Sequence, residues 1–139
     1  MTGVVLDTHV LVWTLGGDRR LGPNARQRVE SAAEDAAVAF SAISAWEIAM
    51  LVAKGRLELD RDVLDWLAGA TRLPGVHLTP LSPEISVDST RLPGEIHGDP
   101  ADRLIVATAR HLGATLVTAD RALLAYAASG HLDAQAAGD

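Results

Sequence analysis

Five carboxylates stand where they could hold a metal ion or move a proton. Asp7 ends the apolar run Val4-Val5-Leu6, and Glu47 sits inside the apolar stretch Ala45 to Leu51. Asp99 and Asp102 bracket Pro100, and Asp120 lies two residues past Thr115-Leu116-Val117-Thr118. Each has an ordinary reading. Asp7, Asp99 and Asp120 suit helix N-caps, and Asp102 in a first turn is favoured by the helix dipole. Glu47 suits the polar edge of an amphipathic helix, with Lys54 one face along. The set reads differently from its members. Acids gathered at one place raise one another's pKa, and a divalent cation removes that penalty. An all-oxygen ligand set suits Mg²⁺, or Mn²⁺, better than zinc. Such a centre could orient a phosphodiester and acidify a bound water. Glu30, Glu34, Asp35, Glu58, Asp60 and Asp62 lie instead on helix faces or turns where solvent satisfies them.

The elements that must position these acids alternate. Short apolar runs at Val4–Leu6 and Ala37–Phe40 read as buried strands, and Val76–Leu81, Thr115–Thr118 and a last segment at His131–Ala134 read as further strands. Helical spacing covers Thr8 to Leu15, Pro23 to Glu34, a stretch capped by Ser41 or Ser44 and ended by Gly55, and Asp62 to Thr71. It continues at Pro83 to Leu92, Pro100 to Leu112 and Asp120 to Ala127, with Pro suited to first turns. Alternation of this kind predicts an α/β three-layer fold. Its central, mostly parallel sheet has four or five short strands with helices on both faces. In such folds chemistry collects at the carboxyl ends of strands, where Asp7 and Asp120 fall.

The chain has 139 residues, which fits a single domain spanning residues 1–139, with an Ala- and Gly-rich tail after about residue 133 expected to fray. Hydrophobic residues make up 48% and charged residues 22%, which excludes intrinsic disorder. The absence of cysteine excludes disulfides, thiolate nucleophiles and Cys-ligated metals, and fits a cytoplasmic setting. No apolar run approaches the roughly 18 residues that a membrane crossing needs. Met1 to Leu6 carries no basic region, so neither a signal peptide nor a membrane anchor is expected there. The formal charge of −6 argues against broad electrostatic binding of nucleic acid, but a cation bound among the acids would cancel part of it. Arg19, Arg20, Arg26 and Arg28 form a basic cluster, open to RNA phosphates, to a partner's acids or to solvent alone. Trp46 and Trp66 have helical core spacing, which favours burial over base stacking, while Trp13 near Gly16-Gly17 could serve a partner surface.

Four ordered motifs carry a family resemblance. Leu6-Asp7-Thr8-His9-Val10-Leu11-Val12-Trp13 resembles the N-terminal signature of PIN-domain nucleases, and Ser44-Ala45-Trp46-Glu47-Ile48 the segment bearing their second acid. The run from His97 to Ala109, with Asp99-Pro100-Ala101-Asp102-Arg103, resembles the third in the form found in VapC-type toxins of bacterial toxin–antitoxin pairs. Leu116-Val117-Thr118-Ala119-Asp120 resembles the fourth. The resemblance implies a PIN fold and a metal-dependent endoribonuclease that hydrolyses RNA phosphodiesters. It also implies inhibition by a cognate VapB-type antitoxin and a homodimer. Carried over, it makes Asp7, Glu47, Asp102 and Asp120 catalytic and, with Asp99, metal-binding. Thr8 and Thr118 match small polar positions that line the site. Arg103 has two readings, a phosphate contact or an exposed helix residue. His9 is expected to pack or bond locally, and His97 to orient the Asp99 turn.

Two other readings fit parts of the pattern. A PIN-like domain could bind RNA or protein without catalysis. An Asp-based phosphotransfer protein also places an Asp after a strand. However, a dehalogenase-type site wants a second Asp at the position of His9, and the sole lysine, Lys54, sits at a helix end.

Overall fold

Strands with no polar alternation are stable only when both faces are covered, and this chain covers the three inner ones. The computed structural model describes residues 3–139; Met1 and Thr2, at the head of the segment read as free of a targeting signal, lie outside them. Strand β1 is Val4–Leu6, β2 Val38–Ser41, β3 Val76–Thr79, β4 Thr115–Thr118 and β5 Ala134–Ala136. They form one sheet in the order β3-β2-β1-β4-β5, with every pairing parallel. Adjacent residues of β1 feed opposite cores. Val4 and Leu6 pack on one face with Leu11, Val29, Phe40, Ile48 and Ala70, and Val5 on the other with Ile85, Ile105, Leu116 and Leu123.

Helices α1 (Thr8–Gly16), α2 (Pro23–Glu34), α3 (Ala42–Ala53) and α4 (Val63–Arg72) supply residues to the first core. Helices α5 (Pro83–Asp88), α6 (Pro100–Leu112) and α7 (Arg121–Ala128) supply the second. Ser41, not Ser44, caps α3, its hydroxyl accepting from the Ile43 amide at 3.2 Å. Asp62 and Ser82 cap α4 and α5 in the same way. Gly113 ends α6 at φ 60°, a left-handed conformation that costs glycine little. Gly75 enters β3 at φ 80°, where a Cβ would collide with the Ala33 carbonyl.

Four expectations change. The last strand begins at Ala134 rather than His131, and the tail expected to fray is that strand: it pairs with β4 from Leu116 to Thr118. Ala137 is fully buried, and its carbonyl accepts from the Gly22 amide at 2.8 Å. The backbone hydrogen bonds of β4 secure the strand, so its side chains need no β-propensity. The helix expected from Pro83 to Leu92 closes at Asp88, and Ser89 is its C-cap. Trp46 is 57% exposed, against the expected burial, whereas Trp66 packs partly buried against the first core.

From β1 the chain crosses to β2 on one side, and from β4 it crosses to β5 on the other. The order therefore reverses between β1 and β4, and at such a point the two loops diverge and leave a crevice at the carboxyl edge.

Candidate active site

Asp7 leaves β1 at that crevice. It caps α1: its Oδ1 accepts from the Thr8 amide at 2.8 Å. Its Oδ2 accepts from the Thr118 hydroxyl at 2.6 Å, a bond that ties the end of β1 to the end of β4. Thr118 is fully buried, and its Oγ1 also accepts from the Asp120 amide at 3.0 Å. Asp120 in turn caps α7 through Oδ1, which accepts from the amides of Ala122 and Leu123. One threonine thus sets the placement of two acids that lie 113 residues apart in the chain.

Glu47 reaches the same place from α3. The polar-edge reading gives way to a half-buried carboxylate whose Oε1 accepts from the Thr8 hydroxyl at 2.6 Å. The hydroxyls of Thr8 and Ser44 lie 2.9 Å apart, and Ser44 is fully buried one turn before Glu47. Thr8 and Thr118 each donate a hydroxyl hydrogen bond to a carboxylate. In the sequence Ser44 stood only as a cap candidate and as the first residue of the second motif, not as a site residue. A serine at i−3 to a candidate acid is its only local signal.

Asp102 enters from the first turn of α6. Together Asp7, Thr8, His9, Trp13, Glu47, Asp102, Ala119 and Asp120 line a cavity of about 390 Å³. Asp99 does not line it. It is exposed and caps α6, its Oδ1 accepting from the Asp102 amide at 3.1 Å, so cap geometry places it beside the cavity rather than in it. Arg103 also stays out. Its guanidinium donates to the carbonyls of Ser89 at 2.8 Å, Ile96 at 3.3 Å and His97 at 3.4 Å, which fastens the loop before α6. The loop carries His97. Its Nδ1 accepts from the Asp99 amide at 3.3 Å, as the orienting role predicted, and its Nε2 lies 3.4 Å from Asp102 Oδ2. One ligand atom each from His97, Asp102 and Asp120 fall within 4.8 Å of one another, so His97 joins the candidate set.

The electrostatics follow from this crowding. Burial raises the Asp102 pKa first, and Asp99, Asp7, Asp120 and Glu47 add to the effect, taking it from 3.8 to about 7. Burial also raises Asp7, against the lowering effect of its Thr118 and Thr8 bonds. Glu47 is raised for the same first reason, with Asp7 and Asp99 adding to it and the Thr8 bond opposing. No lysine or arginine lines the cavity. Negative charge held together with no lysine or arginine, and only His9 to offset it, is the condition that a hard divalent cation relieves, and carboxylate oxygens are its preferred donors.

The basic cluster is largely committed elsewhere. Arg20 forms an ion pair with Asp18 at 2.7 Å, Arg26 donates to the carbonyls of Asp18 and Leu21, and Arg28 donates to the Thr115 hydroxyl at 3.0 Å. Among the described residues no helix is long and apolar enough to cross a membrane.

Comparison with known proteins agrees with this architecture. The chain is 40% identical to Ribonuclease VapC22 of Mycobacterium tuberculosis over 126 residues, 91% of this chain and 93% of that one. Its fold is similar to a chain in the crystal structure of VapBC2 from Rickettsia felis bound to a DNA fragment from their promoter. The TM-score is 0.69 at 20% identity, covering 96% of this chain and 97% of that one. A chain of DNA-bound VapBC from Salmonella typhimurium gives a TM-score of 0.67 at 15% identity over 99% of both. The family model for the PIN domain matches residues 4–129, so the chain belongs to the PIN domain family.

Proposed function

We propose that this protein is a divalent-metal-dependent endoribonuclease and the toxin of a toxin–antitoxin pair, acting in the cytoplasm. The observation that carries the proposal is the convergence of Asp7, Glu47, Asp102 and Asp120 on one cavity with no lysine or arginine in its lining. These four acids would hold the cation, Mg²⁺ or alternatively Mn²⁺, with His97 beside Asp102 and Asp120. A cation bound there supplies charge neutralisation at a phosphodiester and a more acidic water.

The chain's own groups do the positioning. Thr118 and the Thr8 amide fix both oxygens of Asp7. Thr8 fixes Oε1 of Glu47 and leaves Oε2 without a hydrogen bond among the described residues. Ligation by Asp102 would displace the proton that its surroundings favour, so cation binding would couple to proton release near neutral pH. Hydrolysis would add the water oxygen to phosphorus and break the bond from phosphorus to the leaving ribose oxygen, which departs as a hydroxyl carrying a proton that originates from the water.

The partner reading rests on the relatives. The similar folds from Rickettsia felis and Salmonella typhimurium were solved as VapBC assemblies, which supports a VapB-type antitoxin for this chain. We extend the same reading to a homodimer. The test is cleavage of total RNA by the purified protein with Mg²⁺ and with chelator, beside Asp7→Asn. Cleavage that needs the metal and vanishes in Asp7→Asn supports the proposal. Equal cleavage by the variant refutes the mechanism.

A further inference from the structure

The cavity has an aromatic wall that the carboxylate chemistry does not use. His9 and Trp13 stand one turn apart on α1, with ring centroids 6.4 Å apart and planes at 53°. Both line the cavity beside Asp7, Glu47, Asp102 and Asp120. His9 is exposed, and Trp13 is half-buried against the first core, which anchors it. Outside the cavity, the Arg20 guanidinium lies over the Trp13 ring at 4.9 Å from its centroid. Arg20 is held in turn by Asp18, which accepts from its Nε at 3.1 Å, its Nη2 at 2.7 Å and its backbone amide at 2.9 Å. A cation over an indole face braces the ring. The exposed Ala119 also lines the cavity, and its short side chain leaves room there.

We propose that His9 and Trp13, braced by Arg20, form a stacking shelf for the unpaired nucleobase beside the scissile phosphodiester, and that this shelf sets base preference at the cut. The inference rests on the ribonuclease reading and adds to it how the strand is held. A phosphodiester drawn to the acids brings its flanking base within reach of the same cavity wall. An aromatic face accepts any base sequence-tolerantly, while a tilted imidazole at its edge narrows the choice. Arg20, already paired with Asp18, serves the ring rather than a phosphate.

The test compares a short single-stranded RNA with the same strand carrying an abasic residue next to the mapped cut. Wild-type protein is expected to show a KM about tenfold lower for the intact strand, the worth of stacking one base. Trp13→Leu should raise KM on intact RNA to the abasic value and lose the discrimination between the two strands. Trp13→Phe should keep part of the discrimination, and His9→Ala should shift the mapped ends. If Trp13→Leu fails to fold, the Trp13→Phe and His9→Ala results decide. Wild-type protein that cuts both strands with equal KM overturns the shelf and leaves the nuclease intact. Wild-type protein that cuts neither overturns the nuclease reading, and the shelf with it. A Trp13→Leu variant that discriminates as wild type does also overturns the shelf.

Discussion

Removing a carboxylate from the cavity should stabilise the metal-free protein, and Asp102 is the place to test this. Its side chain is 19% exposed and its pKa rises from 3.8 to about 7, because burial and four neighbouring acids disfavour its charged form. Between these two values the folded protein binds more protons than the unfolded chain, so stability falls as pH rises. Below the lower value both states are protonated, and above the upper one the loss is complete. From about pH 5 to pH 8 the full displacement would cost about 3 kcal/mol, and solvent contact reduces that to about 1.5 kcal/mol. Asn has the same shape and cannot ionise. Asp102→Asn should therefore gain about 1.5 kcal/mol over wild type between those two pH values, about 5 °C in Tm for a chain of this length.

The assay is thermal unfolding by circular dichroism in chelator at both pH values, read as variant minus wild type. Subtraction cancels the amide's own packing cost, which does not depend on pH. Added Mg²⁺ should then reverse the order at the higher pH, because wild type gains binding free energy that the variant largely lacks. A variant whose Tm difference is the same at both pH values, or which is relatively less stable at the higher one, would refute the reasoning that these acids repel across one cavity.

Thr118→Val keeps the shape but removes the hydroxyl that Asp7 and the Asp120 amide share, so stability should fall by about 2 kcal/mol in urea titration. RNA cleavage should fall with it, as two acids lose their placement. Arg103→Leu leaves the Ser89, Ile96 and His97 carbonyls without their donor, and amide exchange across residues 89–97 should quicken while the sheet stays protected. Truncation after Leu132 exposes the β4 edge, and we expect a loss of about 3 kcal/mol or more by the same titration, with cleavage reduced because Thr118 ends that strand.

Much of the site was legible in the chain, and the pattern of what was not has a physical cause. Caps are local, so Asp7, Asp99 and Asp120 were readable as caps and all three are. Strand ends are nearly local as well, since an unbroken apolar run signals burial on both faces. By contrast, the Glu47–Thr8 bond spans 39 residues and the Arg103 contacts reach back as far as Ser89. No spacing rule predicts such pairs. β5 is the extreme case: Ala134-Gln135-Ala136 has no strand preference and exists because β4 offers an open edge.

Capping leaves Asp120 an oxygen open to a cation, whereas both oxygens of Asp7 already accept hydrogen bonds. A cap uses one oxygen on one side, and Asp120 shows this: Oδ1 takes two α7 amides while Oδ2 carries no hydrogen bond among the described residues. What separates Asp7 and Asp120 from Asp99 is the element that comes before each acid. Asp7 follows β1 directly and Asp120 follows β4 by two residues, and the loops that leave those paired strands diverge where the sheet order reverses. Asp99 follows an irregular loop from Gly94 to Gly98, so its cap sits beside the crevice and not in it. Asp102, one turn further into α6, is the residue that α6 delivers to the cavity. The helix dipole that favours an acid there is too weak to offset its burial, and the raised pKa of Asp102 is what remains of that imbalance.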